Sequence, residues 1–119
     1  GNAGKDALTG GDGADYLFGN QGNDIATGGG GGDYIFGYED NDILTGGPGN
    51  DIIEGGTGND RVLGGDEDDR LMGEPTGSDG SDLATDFVDG GGQTTTIPGD
   101  VCFVRAAGTK VNCESIGPE

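Results

Sequence analysis

The chain is 119 residues long, contains 30 glycines and carries 23 acidic against 5 basic side chains, for a formal net charge of -18. That charge repels phosphate backbones and anionic lipid surfaces, so nucleic acid and acidic membranes are poor partners, and no apolar run is long enough to span a bilayer. Acidic, aromatic-poor chains ordinarily stay solvated, because too little apolar surface offsets the entropy of ordering. Order here needs a pattern that composition hides.

The pattern starts at the first residue. A glycine opens a new unit every nine residues from Gly1 to Gly64, giving GNAGKDALT, GGDGADYLF, GNQGNDIAT, GGGGGDYIF, GYEDNDILT, GGPGNDIIE, GGTGNDRVL and GGDEDDRLM. A ninth unit, GSDGSDLAT, resumes at Gly77 after the insertion Gly73 to Thr76. Self-similarity at a short fixed period is the signature of a solenoid. All nine units keep aspartate at position six: Asp6, Asp15, Asp24, Asp33, Asp42, Asp51, Asp60, Asp69 and Asp82. Position eight is always apolar, from Leu8 and Leu17 through to Leu71 and Ala84. Six residues dense in Gly, Asn and Asp suit a tight turn, and the last three suit a short strand whose middle side chain points inward. One inward residue per strand makes a thin core.

Alternate units differ. Position nine reads Thr9, Thr27, Thr45 and Leu63 in the odd series, against Phe18, Phe36, Glu54 and Met72 in the even. Position two is Gly11, Gly29, Gly47 and Gly65 in even units and varied in odd ones. The structural period is therefore 18, two units to a coil, with odd and even units on opposite walls. Stacking such coils sets carboxylates one strand spacing apart, where they repel unless a cation lies between them. An all-oxygen ligand set without His favours calcium over magnesium or softer metals.

Over residues 1–85 these units resemble the RTX, or haemolysin-type, calcium-binding nonapeptide repeat. The resemblance implies an all-β, right-handed parallel β-roll (β-solenoid) of about four and a half 18-residue coils. It further implies a calcium ion between stacked turns, held by carbonyls of positions two and four plus the aspartate of one turn, and of positions one and three plus the aspartate of the next. Carried onto this chain, the pairs are Asp6 with Asp24, Asp15 with Asp33, Asp24 with Asp42, Asp33 with Asp51, Asp42 with Asp60, Asp51 with Asp69 and Asp60 with Asp82. The implied carbonyl ligands are Asn2, Gly4, Gly11, Gly13, Asn20, Gly22, Gly29, Gly31, Gly47 and Gly49 at positions two and four. At positions one and three they are Gly19, Gly28, Gly37, Gly46, Gly55, Thr57, Gly64 and Asp66. About five to seven ions are expected, neutralising most of the acidity.

Residues 86–119 are expected to form a capping segment over the open end of the roll. Val101 to Arg105 and Thr109 to Asn112 suit a short hairpin, stapled by a Cys102 to Cys113 disulfide in an oxidising compartment. With no His and no serine in a nucleophile setting, no catalytic residue is assigned and the chain by itself is not an enzyme. The function expected is a calcium-dependent folding and stabilising module of a secreted protein, as the C-terminal part of a longer chain. Family relatives suggest an alternative, the repeat region of a secreted protease, lipase or toxin whose catalytic part lies upstream; a surface-recognition or adhesion module is a third possibility. Tyr16, Phe18, Tyr34 and Phe36 gather on one outer wall, where an upstream domain or a second copy is expected to pack.

Overall fold

Where the backbone must turn left-handed decides where each coil bends. In the computed structural model the described residues are 1–73, together with the backbone of 87–92, 101–103, 109–111 and 115–116. The strands are β1 (Ala7–Asp12), β2 (Tyr16–Gln21), β3 (Ile25–Gly30), β4 (Tyr34–Glu39), β5 (Ile43–Pro48), β6 (Ile52–Thr57), β7 (Arg61–Asp66) and β8 (Arg70–Met72). They are followed by β9 (Phe87–Gly92), β10 (Val101–Phe103), β11 (Thr109–Val111) and β12 (Ser115–Ile116). Odd-numbered strands form one sheet in the order β1-β3-β5-β7-β9-β11, and even-numbered strands form the other, β12-β10-β8-β6-β4-β2. All neighbours are parallel, and through β8 each pairs with the residue 18 positions on, as in Ala7 with Ile25 and Tyr16 with Tyr34. The fold is a parallel β-solenoid of about four turns over the first 73 residues. No helix among the described residues is long and apolar enough to cross a membrane.

The first seven strands are six residues long rather than three. The ladder runs on through the opening residues of the following unit, pairing Gly11 with Gly29 and Asn20 with Tyr38, so the turn shrinks to positions four to six. Positions two and four take positive φ, for example Gly29 at 110° and Gly31 at 101°. Four non-glycine residues also occupy this region: Asn20, Tyr38, Asp40 and Glu67. Asp40 offsets part of its strain locally, since its Oδ2 accepts the Gly22 N–H from the preceding coil at 3.0 Å.

The core is a single file. Ala26, Ile35, Leu44, Ile53, Val62 and Leu71, all at position eight, are fully enclosed between the two sheets, with Leu8 and Leu17 packed against the open end.

Two expectations for the C-terminal part need correction. The strand that follows β7 in its sheet is β9, in the register Val62 with Val88, so the residue in line with the eighth position of the repeat is Val88 instead of Ala84. The insertion after unit eight is thus longer than the spacing of glycines suggests. The hairpin expected from 101–105 and 109–112 does not form: β10 adds in parallel to β8 in one sheet and β11 adds in parallel to β9 in the other. Each finds a ready ladder on an open strand edge, which continues the spiral without reversing it. Cys102 lies in β10, but Cys113 lies outside the described residues, and so does the expected bridge. Asp82 lies outside them as well.

Candidate metal centre

The position-six aspartates Asp24, Asp33, Asp42 and Asp51 each sit at the end of a turn, immediately before a strand, and are pinned there by three bonds to neighbouring coils. Asp24 is typical. Its N–H donates to Asp42 Oδ1 at 2.7 Å, its carbonyl accepts the Ile43 N–H at 2.9 Å, and its own Oδ1 accepts the Asp6 N–H at 2.7 Å. The same amide-to-carboxylate step links Asp15 to Asp33, Asp33 to Asp51, Asp42 to Asp60 and Asp51 to Asp69, at 2.8 to 2.9 Å. Two columns result, one at each rim: Asp6, Asp24, Asp42 and Asp60, and Asp15, Asp33, Asp51 and Asp69. Asp24, Asp33, Asp42, Asp51, Asp60 and Asp69 are all buried.

Three engaged groups leave one over. The Oδ2 atoms of Asp15, Asp24, Asp33, Asp42 and Asp51 are enclosed and have no hydrogen-bond partner among the described residues. An enclosed carboxylate oxygen without a partner is costly, and a column of them compounds the cost by mutual repulsion. Burial, opposed by the Asp24 N–H and reinforced by the charges of Asp24 and Asp40, pushes the Asp42 carboxyl up to about 6. Burial does the same to Asp51, against the Asp33 N–H and with the charges of Asp33 and Glu67, again to about 6.

The space that each Oδ2 faces is kept open by the glycine at position one. A Cβ built on Gly19 would lie 2.6 Å from Asp24 Oδ2 and 2.8 Å from the carbonyl oxygen of Gly37. Gly10, Gly28, Gly37, Gly46 and Gly55 repeat this arrangement, bringing the carbonyls of Gly28, Gly46, Gly55, Gly64 and Gly73 toward Oδ2 atoms of the turn before. At positions two and four the carbonyls of Gly11, Gly29, Gly47, Gly4, Gly13 and Gly31 point instead at the matching residue of the following coil. Carbonyls from both turns therefore line the gap between coils. Gln21 and Pro48, at position three, use their carbonyls to accept the Gly4 and Gly31 N–H groups. Thr57 and Asp66, also at position three, end β6 and β7 with exposed side chains. Asp6 is only half-buried, at the N-terminal edge, where its Oδ2 accepts the Asn2 N–H at 3.0 Å.

These residues fit a hard divalent cation. No group of three or more His, Cys, Asp or Glu side chains converges among the described residues, so a cation held between coils would need main-chain oxygens beside the aspartates. Calcium accepts such a mixed set, whereas zinc and its neighbours prefer imidazole and thiolate. When bound, the ion supplies charge neutralisation and a cross-link between coils. The chain's part is to pre-set the donors, through the amide bonds to Oδ1 and the glycine hollow. Gly19→Ala is therefore expected to remove one ion from the total and lower the melting temperature in calcium. Gly30→Ala, whose added Cβ comes no closer than 3.5 Å to Asp12 Oδ1, is expected to do neither. Calorimetric titration of both variants checks this.

Proton competition gives a second expectation. Because Asp42 and Asp51 are raised to about 6 from an ordinary value of 3.8, protons are held more tightly in the metal-free roll than in the unfolded chain. The resulting penalty on the metal-free roll is absent below the unfolded value and grows as pH rises through about 6. Calcium affinity is accordingly expected to fall as pH is lowered from 7.5 through 6 to 5, while the chelated chain gains sheet over the same interval. Titrations at the three pH values measure both slopes.

One ladder escaped the sequence reading. Asn41 N–H donates to Asn23 Oδ1 at 2.9 Å, Asn59 N–H to Asn41 Oδ1 at 2.8 Å, and Asp68 N–H to Asn50 Oδ1 at 3.1 Å, so position five ties successive turns just outside the carboxylates. Its signal was visible: asparagine fills position five in four of the units between Gly19 and Leu63.

Comparison with known proteins agrees with the geometry. The sequence profile described as RTX calcium-binding nonapeptide repeat matches in four overlapping copies, residues 1–26, 18–53, 27–62 and 45–75. A search of curated proteins finds no match to the chain. The profile stops before the ninth sequence unit at Gly77, in keeping with the shifted register of β9. With its nonapeptide matched over more than half its length and its aspartates stacked at both rims of a parallel solenoid, the chain belongs to the RTX calcium-binding repeat family.

Proposed function

We propose that the protein is a calcium-dependent folding and stabilising module of a larger secreted protein. One observation carries the reading: a regular stack of enclosed, partnerless Oδ2 atoms, each facing a hollow that a glycine keeps open. At the low calcium of a cytosol the columns repel and the chain stays unfolded; at extracellular calcium the ions enter between coils and the roll forms. About five to seven ions bind, through Asp6, Asp15, Asp24, Asp33, Asp42, Asp51, Asp60 and Asp69 with main-chain carbonyls. The aromatic wall of Tyr16, Phe18, Tyr34 and Phe36 packs against another part of the parent protein. Calorimetric titration with calcium tests the assignment. Several equivalents bound with a concurrent gain of sheet support it, and one ion or none, without structural change, overturns it.

A further inference from the structure

The outer face of the even-numbered sheet carries a second pattern, unrelated to the rims. Tyr16 and Tyr34 stack at 4.9 Å with ring planes 7° apart, Phe18 and Phe36 stack at 5.6 Å, and Tyr38 lies 6.2 and 6.1 Å from the two phenylalanine rings. Tyr16 is 65% exposed, Tyr38 46% and Phe18 40%. Five aromatic rings thus form one apolar surface across β2 and β4, on a chain that has only seven aromatics. Rings stacked along the sheet spend their faces on each other and turn their edges outward, which suits aliphatic side chains or ring faces of a partner better than a sugar laid flat on a ring.

Next in register after Phe36 comes Glu54, with Met72 on its other side. Glu54 is half-buried, and no hydrogen bond or ion pair joins it to another described residue. A partly desolvated carboxylate at the border of an aromatic surface is unfavourable until a cation meets it. A second copy of this chain is a poor occupant, because the charged residues of β2, β4 and β6 are Glu39 and Glu54, both acidic, and a second copy of these strands offers Glu54 no cation.

We propose that this face docks an extended polypeptide segment whose wall-facing side chains, every second residue, are apolar over the Tyr and Phe rows and end in an Arg or Lys on Glu54. The segment is the chemical identity of the packing partner inferred above, and the proposal rests on the calcium-folded roll. The test uses the full chain in calcium at about 0.15 M salt, where diffuse attraction is screened. The probes are a capped hexapeptide with leucine at its first and third positions, arginine at its fifth and serine between, so that leucines and arginine share one face when extended, and the same peptide with glutamine in place of arginine. The arginine peptide is expected to bind the unmodified chain, to bind Glu54→Gln about tenfold more weakly, and to bind Asp12→Asn, altered on the opposite sheet, with little change. Tyr16→Ser, at the most exposed ring, is expected to weaken binding as well. No binding by the arginine peptide, equal losses for Glu54→Gln and Asp12→Asn, or equal binding of the glutamine peptide would each overturn the proposal. So would sedimentation showing self-association through this face. Circular dichroism of every variant in calcium separates a failed surface from a failed roll: if sheet is present and the peptide does not bind, the docking proposal alone is wrong.

Discussion

Chelation of calcium is expected to abolish most of the far-ultraviolet sheet signal of the full chain, and calcium at about a millimolar to restore it. The core explains why. It is one residue wide, a file of six enclosed aliphatic side chains, and cannot by itself hold the buried aspartate columns on either side of it. Oδ1 of each internal aspartate is already bonded to a neighbouring amide, so rotating the carboxylate to satisfy Oδ2 would orphan another group. An ion held between coils would resolve this without rearrangement. Each site filled at a hundred times its dissociation constant adds about 2.7 kcal/mol, and several such sites convert an unfavourable fold into a stable one. A chelated chain with full sheet content, unaltered by added calcium, would refute the account.

The second large effect is expected from Asp42→Asn. Asp42 stands between Asp24 and Asp60 in its column, with its carboxylate toward one coil and its amide toward the other, so it borders two gaps. Asparagine keeps an oxygen to accept the Asp24 N–H but removes the charge. In calcium the variant should bind roughly two fewer ions and lose about 3 to 5 kcal/mol, the usual cost of breaking a buried ionic arrangement. Asp6→Asn, at the end of the column, should cost one ion and less stability. Without calcium the sign reverses for Asp42→Asn, because the carboxyl that burial pushes up to about 6 is no longer there to be desolvated. Melting curves with and without calcium reveal the crossing, and identical ion counts for variant and parent would show that Asp42 is not shared.

Much of this was legible in the sequence, because a solenoid repeats its physics at every coil. Aspartate at position six and an apolar residue at position eight predict the rim columns and the inner file, and the odd-even contrast at position nine predicts the two walls that the register shows. The less legible parts are those that depend on contacts between coils. The recurrence of asparagine at position five is plain in the sequence, but its bonding emerges only when turns are stacked, since each side chain bonds an amide 18 residues away. Tyr38 reads as a turn residue at position two, yet the extended β4 carries it beside Phe18 and Phe36. The register of β9 could not be read from glycine spacing, because the insertion breaks the period and an Asp-containing unit begins at Gly77. Pairing selected Phe87–Gly92.

The alternation of the two sheets also sets the size of change that the gene can tolerate. Removing 18 residues takes out one whole coil, leaving every later strand in its own sheet and every aspartate on its own rim. Removing nine would move each downstream segment to the opposite side, placing the threonine series where Phe and Tyr now lie and leaving the aromatic stack without its neighbours. Shortening or lengthening by evolution or by design should therefore proceed in steps of two units, with length as the adjustable dimension and cross-section held constant.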